Sequence, residues 1–194
     1  INRVNKKSKG ELIMPFSVNN FRSQLTGGGA GGNLFEVIMP FPGIANPGDA
    51  STKFTFMCKA ASLPGSTLSA VEVPYFGRNV KLAGNRSFEE WSTTVINDED
   101  FAVHAGIVNW MNIIQAHEDN LQTAGGTSDY QVDAQVNQYG KTGELIKSVN
   151  FYNMWPMTLA GIELSWDPAD ALEEFEVSWQ YDWWSVNDSK SVTT

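Results

Sequence analysis

The chain has 194 residues, 42% of them hydrophobic, and a formal net charge of −9, which suits one core-forming domain with or without extensions. Its single cysteine, Cys58, excludes an internal disulfide, no run of 18 apolar residues is present to span a membrane, and the basic start lacks the apolar stretch of a signal peptide. Arg3, Lys6, Lys7 and Lys9 against Glu11 give residues 1–13 a net +3 and leave −12 on the other 181, a body that argues against gripping nucleic acid by its phosphates but not against letting it slide past.

Residues 1–32 read as an irregular arm, with Met14-Pro15-Phe16 looking like a natural start. The arm ends in TGGGAGG, where five glycines among residues 27–32 make a flexible joint. No Gly-Lys-Ser/Thr follows and no strand precedes, so this is not a phosphate cradle. NLFEVIMPF is expected to be a strand and PGIANPGDAS a loop. FTFMCKAASLP is expected to be a second strand, stopped by Pro64-Gly65, with Cys58 a small buried hydrophobe rather than a reactive thiol. In SAVEVPYFGRNVKLAG, Val71, Val73 and Tyr75 share one parity, and Phe76, Val80 and Leu82 the other. The beat slips at Phe76-Gly77, which predicts a bulge or sharp bend, and Pro74 predicts an edge or bulge because it donates nothing to a ladder. SFEEWSTTVIND is strand-like, with Trp91, Thr93 and Val95 on one face.

One helix is predicted in DEDFAVHAGIVNWMNIIQAH, where Val103, Ile107, Trp110, Met111 and Ile114 form one apolar stripe and Asp98 or Asp100 is placed to cap the N-terminus. In YQVDAQVNQYG, Val132, Ala134 and Val136 alternate with the polar row Gln131, Asp133, Gln135 and Asn137. ELIKSVNFYNMWP continues with Val149 and Phe151 on one side and Ser148 and Asn150 on the other, then GIELSWDP leads into the acidic loop ADALEE. In FEVSWQYDWW, Phe175, Val177, Trp179, Tyr181 and Trp183 share a parity, so one aromatic face seeks a core and the other is acidic and polar. Residues 185–194 read as a loose tail. The sum is about seven strands and one flanking helix: mainly β, a sandwich or barrel of antiparallel sheets.

Catalytic signals are weak. His104 and His117 fall on the same helical segment without metal-ligand spacing, and no GxSxG elbow occurs. Glu89 and Glu90 alternate across a strand, so their carboxylates point apart. The seven tryptophans are expected in the core or in subunit contacts rather than on a sugar-binding face. No catalytic, cofactor-binding or metal-ligating residue is assigned.

NLFEV (33–37), FTFMCKAASLP (54–64), VPYFGRNVKLAGNRSFEEWSTTVINDED (73–100), Asn109-Trp110, VNQYG (136–140), MWP (154–156), LSWD (164–167) and EEFEVSWQYDWW (173–184) appear in order. Over residues 33–184 the chain closely resembles the tail tube proteins of T-even-type contractile-tailed phages. Where that family commonly carries a larger residue and a proline before Asn-Leu-Phe, this chain has Gly31 and Gly32. The resemblance implies two nearly orthogonal antiparallel sheets with a flanking helix, on a domain of residues 33–184 between the arm 1–32 and the tail 185–194. It implies a structural, non-enzymatic virion protein, assembled in the host cytoplasm. Hexameric rings of it would stack into a tube that conducts double-stranded DNA, with no membrane insertion and no cofactor. The implied partners are further copies of the chain, the tail sheath protein, baseplate and tail terminator proteins and the tape measure protein. The alternatives are a tube-initiating baseplate paralogue, an Hcp-like secretion tube subunit and, from another class, a carbohydrate-binding β-sandwich. Gln131, Asp133, Gln135, Asn137, Ser148 and Asn150 are the expected channel-lining residues, because the other face of their strands is apolar. Phe16, Val18, Phe21 and Leu25 of the arm, and Leu68 near the tip of the loop after Pro64, are the expected ring-stacking residues, because apolar groups on projecting segments need a partner to bury them.

Overall fold

A computed structural model of the chain describes residues 30–45, 48–162, 164 and 172–188. By its internal contacts the chain divides into Ile1–Gly31 and Gly32–Thr194, and every element below belongs to the second unit. Among the described residues the order is β1 (Phe35–Ile38), α1 (Ala50–Met57), β2 (Cys58–Ala61), β3 (Ser66–Tyr75), β4 (Arg78–Phe88), β5 (Trp91–Ile96), α2 (Ala102–Ile114), β6 (Val132–Tyr139), β7 (Leu145–Leu159), β8 (Glu174–Gln180) and β9 (Trp183–Asp188). All strand pairs are antiparallel. The expected mainly β class therefore holds, as one seven-stranded sheet ordered β1-β6-β7-β8-β5-β2 with β9 on β7, and a separate β3-β4 pair.

The long strand β7 is the pivot. Its first half, Lys147–Tyr152, lies between β6 and β9, whereas Trp155–Leu159 pairs with β8. Between them Asn153 adopts φ +58°, a left-handed conformation that asparagine tolerates better than most residues. Its backbone N–H donates to the Asp133 carboxylate at 3.1 Å and its Nδ2 to Asp182 at 2.7 Å, so two acids hold the corner. One strand thus serves two four-stranded halves, β1-β6-β7-β9 and β7-β8-β5-β2.

Strand parity builds the core. Trp91, Thr93 and Val95 of β5 stand opposite Trp179, Val177 and Phe175 of β8, and all six are buried. Val136 faces Val149 and Ala134 faces Phe151, again buried. The Trp91 and Phe151 rings, 4.7 Å apart, join the two halves. Helix α2 lays Val103, Ile107 and Trp110 on this layer, with Trp110 5.6 Å from Trp179. Gly106 lets α2 approach closely, since a Cβ there would lie 2.9 Å from the Ala50 Cβ and 3.0 Å from the Phe41 ring.

Several expectations are corrected. Residues 54–57 are helical, not extended: Ala50 and Phe54, four apart, form the buried face of α1, and Phe54 meets Trp179 edge-on at 5.9 Å. Neither Asp98 nor Asp100 caps α2. The residue before that helix is Phe101, and both carboxylates take hydrogen bonds from Lys53 at 2.9 Å, tying α1 to the loop before α2. The Lys53 bond holds the Asp98 carboxyl below its ordinary range, and the two acids raise the Lys53 ammonium. Glu89 and Glu90 sit in the connection between β4 and β5 rather than on a strand. The aromatic beat of β8 ends at Tyr181, and Trp183 is 46% exposed because the chain turns the corner at Asp182. β9 then continues to Asp188, so residues 185–188 are paired with β7 and not loose. Strands number nine and α-helices two among the described residues, where about seven and one were expected.

Candidate assembly surfaces

The first surface is the face of β1-β6-β7-β9 turned away from the core. Register sets two rows across its four strands: Glu36, Asn137, Ser148 and Asn187, then Ile38, Gln135, Asn150 and Ser185. Neither row holds a lysine or arginine. Gln135 Nε2 donates to Asn137 Oδ1 at 3.0 Å and to Ser148 Oγ at 2.7 Å, which satisfies Asn137 and Ser148, both buried. The Tyr139 hydroxyl donates to Glu36 at 2.7 Å, and that bond together with burial raises its pKa. Tyr152 stacks on Trp183 at 3.9 Å and 14° beside these rows.

Of the six residues expected to line a channel, Gln135, Asn137, Ser148 and Asn150 therefore come together. Gln131 and Asp133 do not join them. Gln131 precedes β6 and donates its N–H to the Thr127 carbonyl, while Asp133 sits at an irregularity in β6 and holds the Asn153 corner. Among the described residues the outer edges of β1 and β9 pair with no strand.

The second surface is the β3-β4 ribbon. Tyr75 pairs with Arg78, which leaves Phe76 and Gly77 as a two-residue turn with φ +45° and +75°, the positive values a type I′ hairpin demands. The predicted slip in the beat is this turn. Both strands pair only with each other among the described residues. One face carries Val71, Val73, Tyr75, Val80 and Leu82, all exposed, and the other carries Glu72 bonded to Asn79 and 3.5 Å from Lys81. An isolated two-stranded ribbon is marginal in water unless something covers its apolar face. Leu68 lies in β3, 56% exposed, rather than in a loop. Phe16, Val18, Phe21 and Leu25 lie outside the described residues. Phe76, named at the slip in the beat but not among the expected ring-stacking residues, stands at the tip of this ribbon and is 90% exposed.

Other candidates carry little chemistry. His104 packs edge-on against Phe101 and Phe175, and His117 is exposed. Burial pushes the Cys58 thiol up to about 12, far from a reactive thiolate. Trp91, Trp110 and Trp179 are core residues, as expected of most tryptophans here.

Unpaired sheet edges and an exposed apolar ribbon are the surfaces of a subunit built to join other chains. Residues 30–187 match the family model described as phage tail tube protein, and the chain belongs to that family of structural, non-enzymatic proteins of the phage tail. It is 31% identical over 153 residues to tail tube protein gp19 of Enterobacteria phage T4, covering 78% of this chain and 88% of that one. It is 24% identical over 167 residues to the tail tube protein of Serratia phage KSP90, covering 85% and 94%. Its fold is shared with a chain of the anti-feeding prophage baseplate, at a TM-score of 0.59 and 13% identity over 83% of this chain and 97% of that one. It is shared also with a chain of the PVC sheath-tube complex of an extracellular contractile injection system, at 0.52 and 14% identity over 89% and 99%. The resemblance read from the sequence is thereby borne out.

Proposed function

We propose that six copies of this chain close into a ring, that rings stack into the tube of a contractile tail, and that double-stranded DNA passes through the bore during ejection. The observation that carries this is the β1-β6-β7-β9 half, with its unpaired outer edges and a polar face without lysine or arginine. Joining β1 of one copy to β9 of the next would carry the sheet around the ring and remove both edges. The polar face would then line the bore, with Gln135 and Asn150 nearest the channel. A surface that offers amides and hydroxyls but no cation lets a polyanion slide without holding its phosphates. Stacking would draw on the arm residues Phe16 to Leu25 and on the ribbon around Leu68, with residues 1–32 an arm on the domain that follows.

The tail sheath protein is the proposed partner outside the tube, baseplate and terminator proteins the partners at its ends, and the tape measure protein the occupant before DNA. Assembly is in the host cytoplasm and residence is in the virion. The fold shared with sheath-tube and baseplate assemblies supports this reading.

Negative-stain microscopy of the purified chain tests it. Long hollow tubes are expected. Closed single rings would favour a tube-initiating baseplate subunit, and persistent monomers would refute tube formation. Gln135→Lys with Asn150→Lys, returned to phage, should leave tubes intact and slow DNA ejection, most at low salt. Ejection at the wild-type rate at low salt would remove this face from the bore.

A further inference from the structure

We propose that Phe76, at the tip of the β3-β4 ribbon, is an anchor that seats in the groove between the end of α2 and the second half of β7 on a second copy of this chain. This rests on the tube reading above and adds to it a specific tip and a specific receptor.

Phe76 is an unusual residue for its place. At φ +45° it occupies the left-handed region, which glycine and asparagine enter readily and a bulky residue enters only against steric strain. The residue is 90% exposed, and its ring meets Tyr75 edge-on at 4.6 Å. A strained, solvent-facing ring adds little to the packing of its own chain, and that exposure shows that its own groove does not hold it. The ribbon is also held at its root. The Trp91 Nε1 donates to the Ser62 carbonyl at 2.6 Å and the Trp184 Nε1 to the Gly65 carbonyl at 3.3 Å, on the segment that leads into β3. An anchor presented on a tethered hairpin loses little conformational entropy on docking.

The receptor is a groove of about 390 Å³ whose apolar lining includes Met111, Ile114, Trp155, Pro156 and Met157. It has room for an aromatic ring, and the thioethers of Met111 and Met157 are favourable neighbours for one. It lies where β6 has stopped pairing with β7, since their register ends at Met154. Charge agrees with the docking direction. Arg78 follows the tip directly, while Glu118 and Asp119 follow His117, which lines the groove. Opposite signs beside an apolar anchor fix orientation more than affinity. Tip and groove are different patches, so the contact is heterologous and propagates from copy to copy instead of closing as a two-fold pair.

Phe76→Asn is the informative variant. Asparagine favours the left-handed turn, so the variant should keep the wild-type circular-dichroism spectrum and melt no earlier. Its tubes should nevertheless vanish, or the critical concentration for assembly should rise by about tenfold or more, as for loss of a hot-spot aromatic. In a Cys58→Ser background that keeps Phe76, Arg78→Cys combined with Glu118→Cys should give a disulfide-linked ladder on oxidation, whereas either cysteine alone should stop at a dimer. Failure of wild type to form tubes would defeat the tube reading itself. Wild-type tubes together with Phe76→Asn tubes at the same critical concentration would overturn the anchor and leave that reading standing. Loss of assembly in Phe76→Asn without a ladder from the double-cysteine chain would overturn the groove as the receptor.

Discussion

Replacing Thr93 with valine keeps the shape of a side chain at the centre of the core and deletes one oxygen. Thr93 and Trp179 are both buried, and the Trp179 indole N–H donates to Thr93 Oγ1 at 2.9 Å. Phe54 and Trp110 pack on the same indole, so it has no route to water. Stranding that N–H costs about 1–3 kcal/mol. The added methyl returns roughly 0.8 kcal/mol of apolar transfer, which leaves a net loss of about 0.2–2 kcal/mol. In a chain of this size that lowers the melting midpoint by up to about 8 °C. Urea unfolding of dilute, unassembled protein, followed by tryptophan fluorescence, reads the loss. Trp179→Phe removes the donor, so Thr93→Val should cost less in that background, with a coupling of roughly 0.5–3 kcal/mol. A Thr93→Val chain as stable as wild type, or one losing equally in both backgrounds, would refute the claim that this bond is a buried necessity.

Two further outcomes follow from polar groups at the margins of the core. Among the described residues the buried Tyr181 hydroxyl has no hydrogen-bond partner, and burial raises its pKa, so Tyr181→Phe should gain up to about 1 kcal/mol of stability, read as a higher urea midpoint, and a clear loss would show that the hydroxyl has a partner. Lys53→Met should lower stability at neutral pH by releasing Asp98 and Asp100. Because the folded Asp98 pKa is depressed, its contribution is present above about pH 4 and is lost as pH falls through the folded value. The gap between wild type and Lys53→Met should therefore be full at pH 7 and shrink towards pH 2, and a gap that widens with acid would contradict the pairing.

The sequence by itself determined which side chains share a face. Period-two alternation identified Trp91, Thr93 and Val95, then Ala134 and Val136, Val149 and Phe151, and Phe175 through Tyr181 as core positions, because a strand must alternate its side chains whatever it pairs with. The spacing of Val103, Ile107 and Trp110 likewise revealed the buried stripe of α2. Tertiary structure decided what those faces meet. Helix α1 spans only Ala50–Met57, and its aromatic composition reads as strand until the packing of Phe54 on Phe41 and Trp179 fixes it as helix. Trp183 continues the beat of β8 in the sequence, yet a corner at Asn153 and Asp182 sends it out of the core, and no local pattern encodes where a strand changes partners. The candidate surface divides in the same way. The polar parity of Gln135, Asn137, Ser148 and Asn150 was legible, but their side-by-side placement, and the diversion of Asp133 to the corner, depend on register between distant strands. Register is set by the sum of cross-strand packing over the whole sheet, which is a property of the folded chain and not of any segment.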